Sequence, residues 1–168
     1  MKILGVIVRD DLSASGHITG VLGACSRSLY ALRVLKSHGL PATAMWEVAR
    51  ATTLARLLYA APAWWGFTKA EDRHRLDRFV QRTRRMGYLP ETAPDVSEMV
   101  REAEDRLLMA VSWNASHVLR SLFPPTNKRR YSLRPRAHDF ALPAKDDKNY
   151  ISRVLYMSLL KIPMQRSC

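Results

Sequence analysis

Two adjacent carboxylates, Asp10 and Asp11, are the residues near the start of the chain best suited to chemistry. They follow an apolar run with β-branched residues, Leu4 to Val8, which predicts a short strand. Paired carboxylates at the end of a strand can hold a divalent metal ion. However, such sites normally need further carboxylates from neighbouring strands, and the sequence predicts no other strand. Because Asp and Ser also favour turns, we predict that the pair and Ser13 form the turn after the strand.

The cysteines and histidines form no recognisable site. Cys25 and Cys168 are far apart in the sequence and have no Cys/His cluster beside them, so neither a zinc knuckle nor a disulfide framework is predicted. No Gly-rich strand-to-helix loop or nucleophile elbow is present. The sequence therefore nominates no catalytic residue, no metal ligand and no cofactor held by this chain. The histidines are predicted at helix ends or on the surface: His17, His38, His74, His117 and His138.

The composition indicates a polyanionic partner. The 168 residues include 27 Lys and Arg against 15 Asp and Glu, a formal net charge of +12. Such an excess is typical of proteins that bind nucleic acids or anionic surfaces, although basic packing proteins share it. Most of the cations are arginines, whose planar guanidinium suits bidentate phosphate contacts. The hydrophobic content of 47% is sufficient for a packed core.

Helical periodicity dominates the first half of the chain. Apolar residues recur at three- and four-residue steps from Ser13, and Gly39 ends the pattern. A second helix is predicted from about Thr43, as its N-cap, to the residues before Pro62. Its nearly uniform apolarity predicts a central, buried helix. The exceptions on that helix are Arg50 and Arg56.

A third helix carries the most distinctive charge pattern. Thr68 and Glu71 have the spacing of a capping box, which predicts a helix from there to about Met86. Its apolar stripe is narrow, and few acids can pair with its many cations. The helix is either a phosphate-binding face or a solvated surface, and both interpretations stay open. The candidate nucleic-acid-binding residues on it are Arg73, Arg75, Arg78, Arg82, Arg84 and Arg85.

Further helices are predicted beyond residue 90. Asp95 and Glu98 form a second capping-box pattern, which predicts a fourth helix through about Val111. A short fifth helix is predicted over residues 115–123. A final amphipathic segment within 147–168 predicts a C-terminal helix that docks back on the body.

A basic segment separates these helices. Pro124 and Pro125 stop the helical pattern, and no acid follows until Asp139, so an extended arm is predicted. Guanidinium groups interleaved with Tyr131 suit phosphate contact and base stacking, while a basic linker or nuclear-import patch is the alternative. The candidate binding residues of the arm are Lys128, Arg129, Arg130, Arg134 and Arg136.

Two adjacent indoles, Trp64 and Trp65, lie in a Pro/Gly-containing turn between helices. We predict that they cap a small helical core, with one ring inward and the other over a neighbouring helix. A stacking platform for bases is the alternative.

The order of these motifs resembles the segment that follows the catalytic palm in reverse transcriptases of jockey-like non-LTR retrotransposons. The opening KILGV with DLS and HI, at residues 2–6, 11–13 and 17–18, resembles the family's LGV stretch. AAPAWWG at 60–66, followed by residues 76–85, is similar to the family's thumb helix pair. LFPP at 122–125 and YSLRPRAHDFALP at 131–143 are similar to the tail of such elements, and this tail is the most specific piece.

The resemblance implies a fold and a function. In that family the aspartates that hold Mg²⁺ belong to the catalytic palm. The resemblance implies that they would lie upstream of Met1, so this chain would be inactive without a palm. The expected fold is mainly α: a thumb-like helical bundle preceded by one short orphan strand or hairpin, with a basic Pro-containing arm and a C-terminal helix. The implied divisions are 1–12 (end of the palm-like region), 13–90 (thumb-like domain), 91–123 (additional helices), 124–146 (basic arm) and 147–168 (C-terminal helix).

The implied partners are RNA or an RNA–DNA duplex and the missing palm, with no small-molecule substrate. No apolar run approaches the roughly 20 residues of a membrane span, and the N-terminus is not a signal peptide, so an intracellular protein of the cytoplasm or nucleus is expected. Two other classes stay open: a standalone basic nucleic-acid-binding protein, and a protein-interaction module that uses the tryptophan turn and the last helix.

Overall fold

The computed structural model describes residues 1–126 and 138–158. These residues form a mainly helical protein that begins with one short antiparallel hairpin, which confirms the expected fold class. Residues 127–137 of the predicted basic arm (124–146) lie outside the described residues, and in the described part Thr126 pairs with Phe140, whose side chain is buried. No helix among the described residues is both long and apolar enough to cross a membrane.

The predicted N-terminal strand is a hairpin. β1 (Lys2–Ile3) pairs with β2 (Val6–Ile7), with Ile3 opposite Val6. Leu4 and Gly5 have positive φ angles of 45° and 90°, as both central residues of a two-residue hairpin turn require. The start of the strand predicted over residues 4–8 is therefore wrong, because Leu4 and Gly5 form the hairpin turn. The strand that pairs with β2 is β1 of the same chain.

The first long helix, α1 (Ser15–Ser37), buries one apolar stripe that includes Ile18, Cys25 and Leu32. It ends where predicted: Gly39 has φ +83°, and the Leu40 amide donates to the Leu35 carbonyl oxygen.

The second predicted helix is one continuous helical segment, made of α2 (Ala42–Ala49), a π-helical turn (Arg50–Leu54) and α3 (Ala55–Leu57). Its N-cap is Pro41 and not Thr43. It is also not buried all round, because Arg50 and Arg56 both lie on an exposed face. The apolar residues that do face the core include Met45, Ala49 and Leu57.

The tryptophan turn consists of α4 (Ala61–Trp64) and a 3₁₀ turn (Trp65–Phe67). It leads into α5 (Ala70–Arg85), the arginine-rich helix, which Gly87 closes with φ +76°. The predicted Thr68–Glu71 capping box is wrong. The Thr68 hydroxyl donates to the Trp65 carbonyl oxygen at 2.7 Å, and the N-cap position belongs to Lys69, which makes no side-chain cap.

The second capping box is confirmed at the start of α6 (Val96–Trp113). The Glu98 amide donates to Asp95 Oδ1 at 2.8 Å, and the Asp95 amide donates to Glu98 Oε2 at 3.2 Å.

The fifth predicted helix is wrong. Only a 3₁₀ turn (Arg120–Leu122) forms in that region. The Asn114 side chain accepts the Ser116 amide in a turn after α6. Val118 is 84% exposed, while Phe123 at the end of this stretch is buried.

The last described helix is α7 (Tyr150–Ser158), whose Ile151 amide donates to Asn149 Oδ1. The predicted C-terminal helix therefore begins at Tyr150, and the part of that prediction beyond Ser158 lies outside the described residues.

Contacts divide the chain into two compact units, Met1–Ala103 and Glu104–Cys168. The first unit has a core in which Trp64, Leu57, Leu76 and Val80 are almost fully buried. The described part of the second unit has a separate small core. Its buried members are Leu108, Val111, Phe123, Phe140, Val154 and Leu155.

Candidate nucleic-acid interface

Helix α5 is fixed to the first unit by both its apolar and its polar residues. Leu76, Phe79 and Val80 are buried along one stripe, as the sequence predicted. Asp72 is buried as well, and its Oδ2 accepts the Ser15 hydroxyl from the start of α1 at 2.5 Å. The opposite face of the helix is therefore held towards solvent.

Four of the arginines follow one another along one side of the helix, of which three are exposed and Arg75 is half-buried. Their spacing of three, four and three residues places them on one side of a helix, over a length of about 15 Å. We name this set the arginine stripe: Arg75, Arg78, Arg82 and Arg85.

The stripe is most available towards the C-terminal end of α5. Arg78, Arg82 and Arg85 are exposed. Within the part of the chain that the structure describes, no hydrogen bond or ion pair engages the guanidinium of Arg82 or Arg85, and Arg78 donates only to the His74 carbonyl oxygen of its own helix, at 3.4 Å. These charges are free to meet an anion.

The N-terminal end of the stripe is partly neutralised. Arg75 pairs with Asp72 at 3.0 Å and also donates to the Thr19 hydroxyl. Glu71 lies exposed one turn before Arg75. The strongest positive potential on this face therefore lies from Arg78 to Arg85.

The other two arginines of α5 stabilise the fold. Arg73 stacks on the Trp65 ring, 4.8 Å from its centroid, and donates to the Thr68 hydroxyl. Arg84 donates to the Pro94 carbonyl oxygen at 2.7 Å, which ties α5 to the loop before α6. The structure thus divides the six predicted arginines into the stripe and two residues, Arg73 and Arg84, that contact neighbouring segments of the fold.

The five candidate residues of the basic arm lie outside the described residues: Lys128, Arg129, Arg130, Arg134 and Arg136. Their role in binding stays a prediction.

The tryptophan turn caps the core, as predicted. Trp64 is 1% exposed and Trp65 is 8% exposed. The Trp64 indole N–H donates to the Tyr59 carbonyl oxygen, and its ring meets His17 edge-on at 5.4 Å. Neither ring is available as a stacking platform for bases.

The N-terminal carboxylates lie in the turn after the hairpin. Asp11 Oδ1 accepts the Ser13 amide at 2.9 Å, which is the turn that the sequence predicted. Among residues 1–126 and 138–158, no three His, Cys, Asp or Glu side chains converge in a way that could hold a metal ion.

Three titratable groups in the first unit are perturbed by burial. Burial lowers the pKa of His17 and raises the pKa of the Cys25 thiol to about 11. Burial, together with repulsion from Asp95, raises the pKa of Asp77. None of the three lies on the arginine stripe, so its charge does not depend on them.

Sequence analysis missed a cleft of about 470 Å³ beside the C-terminal end of α5. It lies in the first unit, and its walls come from the end of α1, the start of α2, the end of α5 and the loop after α5. No sequence motif marks it, because its lining residues are separated by up to 55 positions, from Lys36 to Glu91.

No protein-family model matches the chain, and no curated protein or solved structure is significantly similar to it. The arginine stripe, the net charge and the cleft are therefore the physical grounds for a function.

Proposed function

We propose that the protein binds the sugar–phosphate backbone of RNA or an RNA–DNA duplex, as the template-primer-binding thumb and C-terminal region of a non-LTR retrotransposon reverse transcriptase. In this proposal the catalytic Mg²⁺ and its aspartates belong to a palm, and the residues described here supply only binding.

The observation that carries the proposal is the arginine stripe. Arg78, Arg82 and Arg85 lie on one face, are exposed and have no acidic partner among the described residues. A surface that only kept the protein soluble would intersperse charges of both signs. A row of guanidinium groups spaced along a helix instead suits successive phosphates, whose contacts fix position without reading sequence.

The net charge supports the same proposal. An excess of 12 positive charges over the chain attracts a polyanion at long range and speeds association. The arginine stripe is the surface at which the attracted polyanion makes contact. Binding is therefore expected to be strong at low salt and largely independent of the nucleic-acid sequence.

The alternative of a protein-interaction module loses one of its two predicted surfaces. Trp64 and Trp65 are buried, so their rings offer little surface to a partner. Binding of a protein through the remaining helix would survive high salt, and this separates the alternative from a phosphate-binding surface.

The test is the salt dependence of binding to an RNA–DNA duplex, measured for the wild type and for the variant with Arg78→Ala, Arg82→Ala and Arg85→Ala. Each lost phosphate contact lowers the magnitude of the slope of log K against log salt by about 0.9, so the triple variant is expected to lose about 2 to 3. The residual affinity should remain independent of sequence.

A matched control removes the same charge elsewhere in the first unit, by Arg27→Ala, Arg33→Ala and Arg101→Ala, which are all exposed. The control should keep nearly the wild-type slope, and circular dichroism should show both variants helical. An equal loss of slope in the two variants would mean that binding follows net charge alone, and the stripe would not be the interface.

A further inference from the structure

The cleft beside the end of α5 is open to solvent and has the volume of a ligand site. Its volume of about 470 Å³ lies within the roughly 300–1,000 Å³ typical of ligand pockets. Four separate segments of the first unit form it, and their lining residues divide into an apolar wall and a charged wall.

The apolar wall contains one indole among aliphatic residues. Trp46 is half-buried and lines the cleft together with Met45 and Leu89. A planar indole at the edge of a cleft can stack with any of the nucleobases, because every base has a π-face.

The charged wall is mainly positive. Lys36, Arg84 and Arg85 line the cleft, and among the described residues Glu91 is the only acid that does so. The Lys36 ammonium and the Arg85 guanidinium at one cavity favour an anionic group such as a phosphate, while the Arg84 guanidinium is bonded to the Pro94 carbonyl oxygen. An aromatic face next to these cations is the combination that a nucleotide needs, since its base stacks and its phosphate is held by charge.

The two walls are held in place before any ligand binds. The Trp46 indole N–H donates to the Gly87 carbonyl oxygen at 3.3 Å. The Lys36 ammonium donates to the Met86 carbonyl oxygen at 3.0 Å and lies 5.5 Å from the centroid of the Tyr88 ring. These bonds also cover carbonyl oxygens at the C-terminal end of α5, which would otherwise repel an anion.

The cleft continues the arginine stripe. Arg85 is the last residue of the stripe and also lines the cleft, and Arg82 lies one helical turn before it. A strand whose phosphates follow the stripe towards the C-terminal end of α5 therefore reaches the cleft with its next nucleotide.

We propose that this cleft takes up an unpaired nucleotide of the bound strand, with its base stacked on Trp46 and its phosphate held by Lys36 and Arg85. The inference rests on the proposed function, because the stripe delivers the strand. A fully paired duplex keeps its bases stacked inside and cannot use the cleft, so the site selects a junction between duplex and single strand.

The experiment compares two fluorescein-labelled probes, a blunt RNA–DNA duplex and the same duplex with a short single-stranded RNA overhang. Trp46→Ala is expected to weaken binding of the overhang probe by about 5- to 150-fold, the loss that follows removal of one stacking aromatic. Binding of the blunt duplex should stay within about twofold of the wild type, since that probe makes only phosphate contacts with the stripe.

Two further measurements guard against a folding defect. Trp46→Phe keeps an aromatic face and should retain most of the affinity for the overhang. In addition, an overhang that carries 5-iodouridine should crosslink to Trp46 on irradiation, and mass spectrometry of the crosslinked peptide identifies the residue. Loss of the overhang preference in Trp46→Phe as well as in Trp46→Ala would contradict stacking.

The failures of the two proposals look different. If the folded wild type binds both probes equally and Trp46→Ala changes neither, the cleft proposal is overturned and the stripe remains. If the folded wild type binds neither duplex, the proposed function is overturned. Binding of the single-stranded RNA alone then tests the cleft proposal, which is overturned as well if that binding does not depend on Trp46.

Discussion

The ion pair between Glu104 and Arg153 is the most buried charge contact among the described residues. Their side chains are 4% and 9% exposed. Arg153 Nε donates to Glu104 Oε1 at 3.0 Å, and its Nη1 donates to the carbonyl oxygens of Asp147 and Lys148. The guanidinium therefore joins α6, α7 and the loop before α7 within the second unit, where the apolar core is small.

Removing one partner of this pair leaves a buried charge uncompensated. We expect Glu104→Ala to lower the free energy of unfolding by about 3–5 kcal/mol in urea denaturation. Glu47→Ala is the matched control, because it breaks the pair with Arg50 whose side chains are 67% and 71% exposed, and it should cost below about 1 kcal/mol. Equal losses in the two variants would contradict the structural role of the buried pair.

His17 gives the first unit a pH-dependent stability. Burial lowers the pKa of His17 below its ordinary 6.5, and its Nε2 has no hydrogen-bond partner within the described residues. The unfolded chain therefore binds a proton more readily than the folded chain. Stability should be highest above about pH 6.5 and should fall as the pH drops from there through the folded pKa.

The check is the free energy of unfolding at pH 7.5 and pH 5.0 for the wild type and His17→Leu. Leucine cannot titrate but keeps an apolar side chain beside Trp64, so the variant should lose less stability on acidification. The other histidines are common to both proteins, and identical pH profiles would exclude His17 as a source of the change.

Residue spacing in the sequence predicts the arginine-rich helix, but it does not predict which of its arginines form the stripe and which contact other parts of the fold. The three-, four- and three-residue spacing of Arg75, Arg78, Arg82 and Arg85 is visible without coordinates. The contacts of Arg73 and Arg84 depend on Trp65 and Pro94, which tertiary packing brings to them. Periodicity within one helix cannot predict such partners.

Helix ends are likewise predicted only in part by local sequence. Thr68–Glu71 and Asp95–Glu98 have equivalent spacing, yet only the second pair caps a helix. The difference lies upstream, because the 3₁₀ turn through Trp65–Phe67 takes the Thr68 hydroxyl as a donor. The buried tryptophans fix that turn, so tertiary packing overrides the local motif.

The capping box at the start of α6 should make a measurable contribution to stability. Asp95→Ala removes the acceptor of the Glu98 amide and is expected to cost about 0.5–2 kcal/mol of the free energy of unfolding. Asp95→Asn keeps an acceptor at the same place and should cost much less. It also removes a charge that raises the pKa of Asp77, so that pKa should fall. Equal destabilisation by both substitutions would show that the charge, and not the cap, matters.

At the scale of the whole molecule, sequence predicted the class of fold and the sign of the surface charge, because both follow from composition and periodicity. It could not predict the cleft, whose cationic and aromatic residues come from segments around residues 36, 46, 85 and 90. It also did not predict a separate core after residue 103, because α6 continues across that point.

The net charge of +12 leads to a prediction for the full chain. If the four arginines of the stripe make all the phosphate contacts, the salt slope on duplex DNA should be about −3.6, and affinity should fall about 150-fold between 50 and 200 mM salt. Two duplexes of unrelated sequence should bind within about twofold of each other. Fluorescence anisotropy across a salt series measures both quantities.

A steeper slope would assign further contacts to cations beyond the stripe, among which Lys128, Arg129, Arg130, Arg134 and Arg136 form the densest group in the sequence. Substituting those five residues by alanine should then bring the slope back towards −3.6, with the stripe unchanged. A flat slope for the folded wild type would mean that the charge serves solubility alone, and the arginine stripe would be a solvated helix face.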